Sequence, residues 1–113
     1  MVKIKRIYDP SSEDDGVRIL VDRLWPRGIS KEAAAINEWV RDVAPSDELR
    51  KWFSHDPAKW QEFRKRYISE LKKNPELISK LRALARKGRL TLLFAAKDDA
   101  HNNAVVLREL IGK

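Results

Sequence analysis

Three short segments have the polarity pattern of β-strands. Val2–Ile7 alternates apolar residues with Lys3 and Lys5, as is typical of a strand at the edge of a sheet. Val17–Asp22 follows a loop of acidic and turn-forming residues, and Leu90–Ala96 is almost wholly apolar. An apolar strand of this kind is typical of a parallel sheet that is covered on both faces. The pattern therefore predicts a small, mostly parallel sheet.

Apolar residues recur at helical spacing in the second half of the chain, which predicts four helices. Each has a capping residue before it, and each has acidic residues or proline in the first turn or glycine at the end. The predicted start and stop signals are Ser46, Asp56-Pro57, Asn74-Pro75 with Gly88, and Asp98-Asp99 with Gly112. In the second helix, one buried stripe is expected to contain Trp60, Phe63, Tyr67 and Leu71.

The segment Lys31–Val43 allows two interpretations. Ile36, Trp39, Val40 and Val43 fit helical spacing, and three consecutive alanines favour a helix. A short helical turn followed by a strand near residues 36–43 is equally compatible with the sequence. Both interpretations stay open at this point.

The chain has 113 residues, enough for one domain whose core can form without metals or disulfides. It contains no cysteine, which excludes disulfides, thiolate nucleophiles and Cys-ligated metal centres. No apolar run approaches the length of a membrane span, and the first residues lack the apolar stretch of a signal peptide. We expect a cytoplasmic protein with no membrane partner. The predicted fold is a single three-layer α/β domain over residues 1–113, with helices on both faces of the sheet.

The net charge of +7 is concentrated in one third of the chain. Residues 59–89 carry eleven basic and three acidic side chains, which gives +8 for this segment and −1 for the remainder. Such a stretch is either an electrostatic footprint for nucleic acid or the solvated face of amphipathic helices. No aromatic-rich strip or known nucleic-acid motif accompanies the charge, which favours the solvated face.

A first polar cluster directly follows the second predicted strand. It is Asp22-Arg23-Leu24-Trp25-Pro26-Arg27-Gly28. Ligands of parallel sheets bind beyond the carboxyl ends of the strands, and arginine side chains match phosphate or carboxylate oxygens. Pro26 and Gly28 restrict and shape the loop that carries Arg23 and Arg27. The alternative is that Arg23 pairs with Asp22 or Asp42 and that Arg27 is solvated.

A second cluster follows the apolar strand and precedes the last helix. It consists of Lys97, Asp98, Asp99, His101, Asn102 and Asn103. Lys97 and the backbone amides at a helix start suit an anion, and His101 suits acid–base chemistry with Asp98 or Asp99 as its orienting group. The alternative is an ordinary capped helix start with His101 on the surface. His55, between two helices, is interpreted as a turn residue.

Other chemistries lack their sequence signals. The two histidines do not have metal-ligand spacing, and Asp14-Asp15 is too short to form a cation site by itself. There is no Gly-x-Ser-x-Gly turn and no glycine-rich phosphate loop. We therefore expect no metal and no cofactor.

Four strings resemble the YeaO-like family of small bacterial and archaeal proteins, a family grouped as a domain of unknown function. They are Val21–Gly28, Asp42–Ser46, Leu49–Pro57 and His101–Ala104, and the resemblance covers essentially the whole chain. It implies an α/β domain with its motif residues at strand ends, and it favours a strand over residues 36–43. Longer relatives have a Cys-His-Arg triplet near Asn102-Asn103 and a cysteine in the preceding strand. This chain has Phe94 in that strand and no cysteine, so thiol chemistry does not carry over.

The function expected from these observations is a pocket for a small anion, such as a nucleotide or sugar phosphate, at the carboxyl ends of the strands. Its expected ligand-binding residues are Asp22, Arg23, Trp25, Arg27, Lys97, Asn102 and Asn103, with His101 as the acid–base residue of any reaction. Whether the protein is an enzyme stays open. The alternative function is that of a nucleic-acid-binding accessory protein that uses the basic helices of residues 57–87.

Overall fold

The computed structural model describes residues 1–112, and its four strands form one parallel sheet. The strands are β1 (Val2–Arg6), β2 (Val17–Leu20), β3 (Glu38–Trp39) and β4 (Leu90–Phe94). Their order in the sheet is β1-β4-β2-β3, and every pairing is parallel. All four strands therefore end at the same side of the sheet, which we call the carboxyl edge.

Five α-helices accompany the sheet. They are α1 (Lys31–Ala34), α2 (Asp47–Phe53), α3 (Trp60–Lys72), α4 (Pro75–Lys87) and α5 (Asn103–Ile111). The Ser46 hydroxyl caps α2 by accepting from the Leu49 amide, whereas Asp56 caps a 3-10 turn (Pro57–Lys59) that leads into α3. The last helix begins later than predicted because Asn102, rather than Asp98 or Asp99, caps it. No helix within the described residues is both long and apolar enough to cross a bilayer.

The sheet lies between two layers of unequal thickness. On one face, Ile19, Leu92 and Phe94 pack in a core that also includes buried residues of α2, α3, α4 and α5. On the other face, a smaller cluster around Leu20 and Leu93 is covered by α1 and the loop before it. The predicted α/β fold is confirmed, with helices on both faces and Tyr67 of the α3 stripe fully buried.

Residues 31–43 form a short helix followed by a strand, the second of the two interpretations. The strand, β3, is only two residues long, and Ile19 and Leu20 lie opposite Glu38 and Trp39. Asn37, just before β3, also holds the two strands together, because its side-chain oxygen accepts a hydrogen bond from the Arg18 amide of β2 at 2.8 Å. The pairing is long-range, which explains why the local helical spacing is misleading here.

The Asp15 carboxylate is the centre of a polar cluster on the face of the sheet that α1 covers. It is fully buried and forms ion pairs with Lys3, Lys5 and Arg18. Burial alone raises the pKa of an aspartate, but hydrogen bonds from Lys3, Ser12, Lys5 and Arg18 outweigh it and lower the pKa of Asp15 well below its usual range. This cluster lies away from the carboxyl edge, since Asp15 precedes β2.

Candidate functional site

The two polar clusters of the sequence meet at the carboxyl edge. Asp22 follows β2, and one of its carboxylate oxygens accepts from the Asn103 amide at 3.1 Å. The other accepts from the backbone amide of Ala95, just beyond β4, at 2.9 Å. Asn103 also donates to the Val21 carbonyl at 2.9 Å. Asp22 therefore connects the ends of the two central strands to the start of α5.

The Asp22 carboxyl is largely withdrawn from solvent, which changes its acidity. Burial raises the pKa of Asp22, opposed by the hydrogen bonds from Ala95 and Asn103 and by the charge of His55. The desolvation effect is the largest of these. Asp22 thus positions Ala95 and Asn103 at the carboxyl edge, and its carboxylate is not a solvated group that is free to contact a ligand.

Arg23 points toward α2. Its guanidinium donates to the carbonyls of Pro45 and Ala44 at 3.2 and 3.3 Å, and it lies 3.9 Å from the Asp47 carboxylate. Neither Asp22 nor Asp42 is its ion-pair partner. Arg23 therefore holds the chain that enters α2, and its hydrogen bonds go to that segment.

Trp25 and Arg27 lie in the loop that covers the thinner face. The Trp25 indole donates to the Ile29 carbonyl at 2.9 Å and packs edge-on against Trp39, so its role in this arrangement is structural. Arg27 is exposed, and its backbone carbonyl accepts from the Tyr8 hydroxyl at 2.8 Å. No carboxylate within residues 1–112 pairs with the Arg27 guanidinium.

Two further cations lie at the end of β4. Arg6, the last residue of β1, donates to the carbonyls of Ala96 and Ala95 at 3.0 and 3.3 Å, and its guanidinium lies 5.0 Å from the centre of the Tyr8 ring. Lys97 follows Ala96 directly and is exposed. A chain of contacts thus connects Arg6, Tyr8 and the Arg27 loop around the edge.

His101 is held by its neighbours in the second cluster. Its Nδ1 lies 2.9 Å from an Asp98 carboxylate oxygen, and its ring packs edge-on against Trp60. The hydrogen bond with His101, followed by that from the Ala100 amide, lowers the pKa of Asp98. The pairing leaves Nε2 of His101 as the atom available to a ligand.

Asn102 has a capping role. Its side-chain oxygen accepts from the Val105 amide at 3.1 Å, and its amide group donates to the Asp98 carbonyl at 2.9 Å. It is 3% exposed, so little of it is accessible to a ligand. The Asn102 side chain therefore has a structural role at the start of α5.

His55 lies closer to the site than the sequence indicates. A positive charge on its ring would lower the pKa of Asp22, and its ring centre is 6.3 Å from that of Phe53. Both Ser54 and His55 adopt positive φ angles, of 46° and 56°, which is uncommon for residues other than glycine. His55 is a turn residue, as interpreted, and the turn has an unusual backbone conformation.

Sequence reasoning missed Arg6 and Tyr8 as candidate residues. A signal was present, because β1 was predicted and its carboxyl end belongs to the same edge as those of β2 and β4. Arg23 and Asn102, in contrast, are recognisable as structural only from their partners in the fold. Within residues 1–112, no group of three or more His, Cys, Asp or Glu side chains is arranged so that it could hold a metal ion.

Comparisons with known proteins relate the chain to a family of uncharacterised proteins. A family described as the inactive DUF488-N3 subclade matches residues 1–113. The chain is 44% identical over 108 residues to the uncharacterised protein YeaO of Escherichia coli K12, covering 96% of this chain and 94% of that protein. It is 41% identical over 110 residues to the uncharacterised protein Rv3073c of Mycobacterium tuberculosis H37Rv, covering 97% and 92%. No solved structure matches the chain.

Proposed function

The chain belongs to the inactive DUF488-N3 subclade, and from this premise we propose that it is a cytoplasmic protein that binds a small phosphate-bearing anion at the carboxyl edge of its sheet. The family description and the absence of cysteine both support binding rather than turnover. The resemblance to YeaO-like proteins, expected from the motifs, is now shown over nearly the full length of both chains.

The observation that carries the proposal is a group of cations without carboxylate partners. Arg6, Arg27 and Lys97 lie around the ends of β1 and β4, and within residues 1–112 no carboxylate pairs with any of them. Exposed cations without ion-pair partners also occur on the basic helices, but these three lie at or beyond the carboxyl ends of parallel strands, where the ligands of such sheets bind. A guanidinium such as that of Arg27 contacts phosphate oxygens with paired N–H donors. Arg6 contributes positive charge, because its Nε and one terminal nitrogen already donate to the Ala96 and Ala95 carbonyls.

His101 and Asn103 support the same edge in different ways. The Asn103 amide is committed to Val21 and Asp22, so it fixes the start of α5 against β2. His101 presents Nε2 because Asp98 occupies Nδ1. In the proposal, His101 contributes a hydrogen bond to the ligand, and its acid–base role applies only to a chemical step.

The alternative of nucleic-acid binding by the basic helices has weaker support. Four of the eleven cations in residues 59–89 form ion pairs within the chain: Arg64, Arg66, Lys80 and Arg89. Lys59 and Arg82 donate to the backbone carbonyls of Trp52 and Leu110. Much of the segment's positive charge is thus engaged in stabilising the fold.

A thermal-shift titration with pyrophosphate and ribose 5-phosphate tests the proposal. Ligand at a hundred times its dissociation constant stabilises the folded state by about 2.7 kcal/mol, which raises Tm by several degrees in a domain of this size. We expect Arg27→Ala to remove most of that shift and to leave the unliganded Tm unchanged, because the Arg27 side chain is exposed.

Lys87→Ala is the matched control. Lys87 is also an exposed cation, but it lies at the end of α4, just before β4 begins, and so at the opposite side of the sheet. Each compound should raise the Tm of Lys87→Ala by the same amount as it raises the Tm of the wild type. Equal shifts in Arg27→Ala and the wild type would place the ligand elsewhere, and no shift with either compound would contradict the proposal.

A further inference from the structure

Tyr8 is an aromatic side chain that is both exposed and held in place. Its ring is part of a residue that is 41% exposed, although tyrosine rings usually contribute to cores and interfaces. Its hydroxyl donates to the Arg27 carbonyl at 2.8 Å, and the Arg6 guanidinium lies over the ring at 5.0 Å from its centre. These two contacts fix the ring at the carboxyl edge although it is not buried in the core.

A second exposed apolar side chain follows the carboxyl end of another strand. Among residues 1–112, the large apolar side chains that are clearly exposed are Met1, Tyr8 and Leu24. Met1 lies at the amino end of the sheet, where its carbonyl accepts from the Leu90 amide. Leu24 belongs to the same loop as Arg27, so two of the three follow the carboxyl ends of strands β1 and β2.

We propose that the anion bound at the carboxyl edge is a nucleotide, with its base stacked on Tyr8 and its phosphates held by Arg27 and Lys97. This inference rests on the proposed function and specifies its ligand. Aromatic rings stack on any nucleobase, since every base has a flat π-face. A fixed ring loses little conformational entropy when it stacks, which suits it to this role.

Arg6 has a positioning role in this arrangement. Its guanidinium covers one side of the Tyr8 ring, and its Nε and terminal nitrogen are committed to the carbonyls beyond β4. The base therefore uses the remaining side of the ring. The cationic charge of Arg6 still contributes to the potential that attracts the phosphates.

The experiment compares ADP with pyrophosphate and ribose 5-phosphate by isothermal titration calorimetry. If the base stacks on Tyr8, the wild type should bind ADP about tenfold or more tightly than pyrophosphate. Tyr8→Leu, which keeps an apolar side chain but removes the aromatic ring, should reduce that ratio to near one. Tyr8→Phe keeps the ring and should keep most of the preference, although it loses the bond to Arg27.

The outcomes separate this inference from the function on which it rests. If pyrophosphate binds in an Arg27-dependent way and ADP binds no more tightly, the nucleotide inference is overturned and the anion site stands. A preference for ADP that survives Tyr8→Leu would also overturn it. If none of the three compounds binds, the proposed function fails together with the inference. Circular dichroism of each variant confirms that it is folded.

Discussion

At the scale of single residues, Asp15 is the group whose charge matters most to stability. Its carboxylate is the shared partner of Lys3, Lys5 and Arg18, and Arg18 itself is 5% exposed. Replacing Asp15 with Asn would leave a buried guanidinium without its counter-charge. We expect Asp15→Asn to lower the free energy of unfolding by about 3–5 kcal/mol, measured by urea denaturation at pH 7.

The pH dependence of this loss follows from the lowered pKa of Asp15. A depressed native pKa stabilises the protein fully above the ordinary aspartate value of 3.8 and loses that contribution as the pH falls below it. The difference between wild type and Asp15→Asn should therefore shrink below pH 4. Asp14→Asn is the control, because Asp14 pairs with Arg89 at the surface and its loss should cost at most about 1 kcal/mol. Equal costs for the two variants would contradict this account.

Asp22 shows why the location of a candidate site is easier to predict from sequence than the side chains that are free to bind a ligand there. Its position after a predicted strand was sufficient to place it at the carboxyl edge. Its partners, Ala95 and Asn103, are more than 70 residues away along the chain. Which side chains at this edge point to solvent depends on such contacts, so Arg23 and Arg27 could not be told apart from their shared motif.

At the scale of elements, Ser46 joins two helices. Its hydroxyl accepts from the Leu49 amide at the start of α2 and donates to the Glu70 carboxylate of α3 at 2.6 Å. Ser46→Ala should lower the free energy of unfolding by about 1–2 kcal/mol, because it removes a helix cap and one partner of a half-buried carboxylate.

Ser30→Ala is the matched control for that variant. Ser30 caps α1 by accepting from the Ala33 amide, but α1 has four residues and Ser30 is exposed. Its replacement should cost less than Ser46→Ala in the same chemical denaturation measurement. A larger loss from Ser30→Ala would show that the contact between Ser46 and Glu70 does not contribute as described.

Most elements could be predicted because their signals are local. The stripe of Trp60, Phe63, Tyr67 and Leu71 repeats at helical spacing, and β4 is a continuous apolar run. Local signals left the strand β3 undecided, since only pairing with β2 distinguishes its two residues from a helix. Tertiary pairing outweighed local propensity in this segment.

At the scale of the whole molecule, the basic charge of residues 59–89 predicts a weak and unspecific affinity for nucleic acid. Several of these cations are exposed and have no ion-pair partner within residues 1–112, including Lys65, Lys72, Lys73, Arg86 and Lys87. Any binding should be independent of sequence. If about six phosphates are contacted, affinity should fall on the order of a thousandfold between 50 and 200 mM salt.

Fluorescence anisotropy with two unrelated DNA duplexes measures this dependence. Lys72→Gln combined with Lys73→Gln should weaken binding to both duplexes and reduce the salt slope. Arg27→Ala should have little effect, because Arg27 lies at the carboxyl edge and outside the basic helices. Tight, sequence-selective binding that persists at 200 mM salt would reverse the preference for the small-anion function.

The central place of β4 in the sheet has a consequence for how the chain is made. Both β1 and β2 hydrogen-bond to β4, and they do not pair with each other. A ribosome therefore synthesises everything up to Leu90 before the strand that joins the first two can be added. Until then the early strands have unpaired edges, which favour association between nascent chains. The order of strands thus delays assembly of the sheet until β4 has been synthesised and leaves a period in which chaperone protection is valuable.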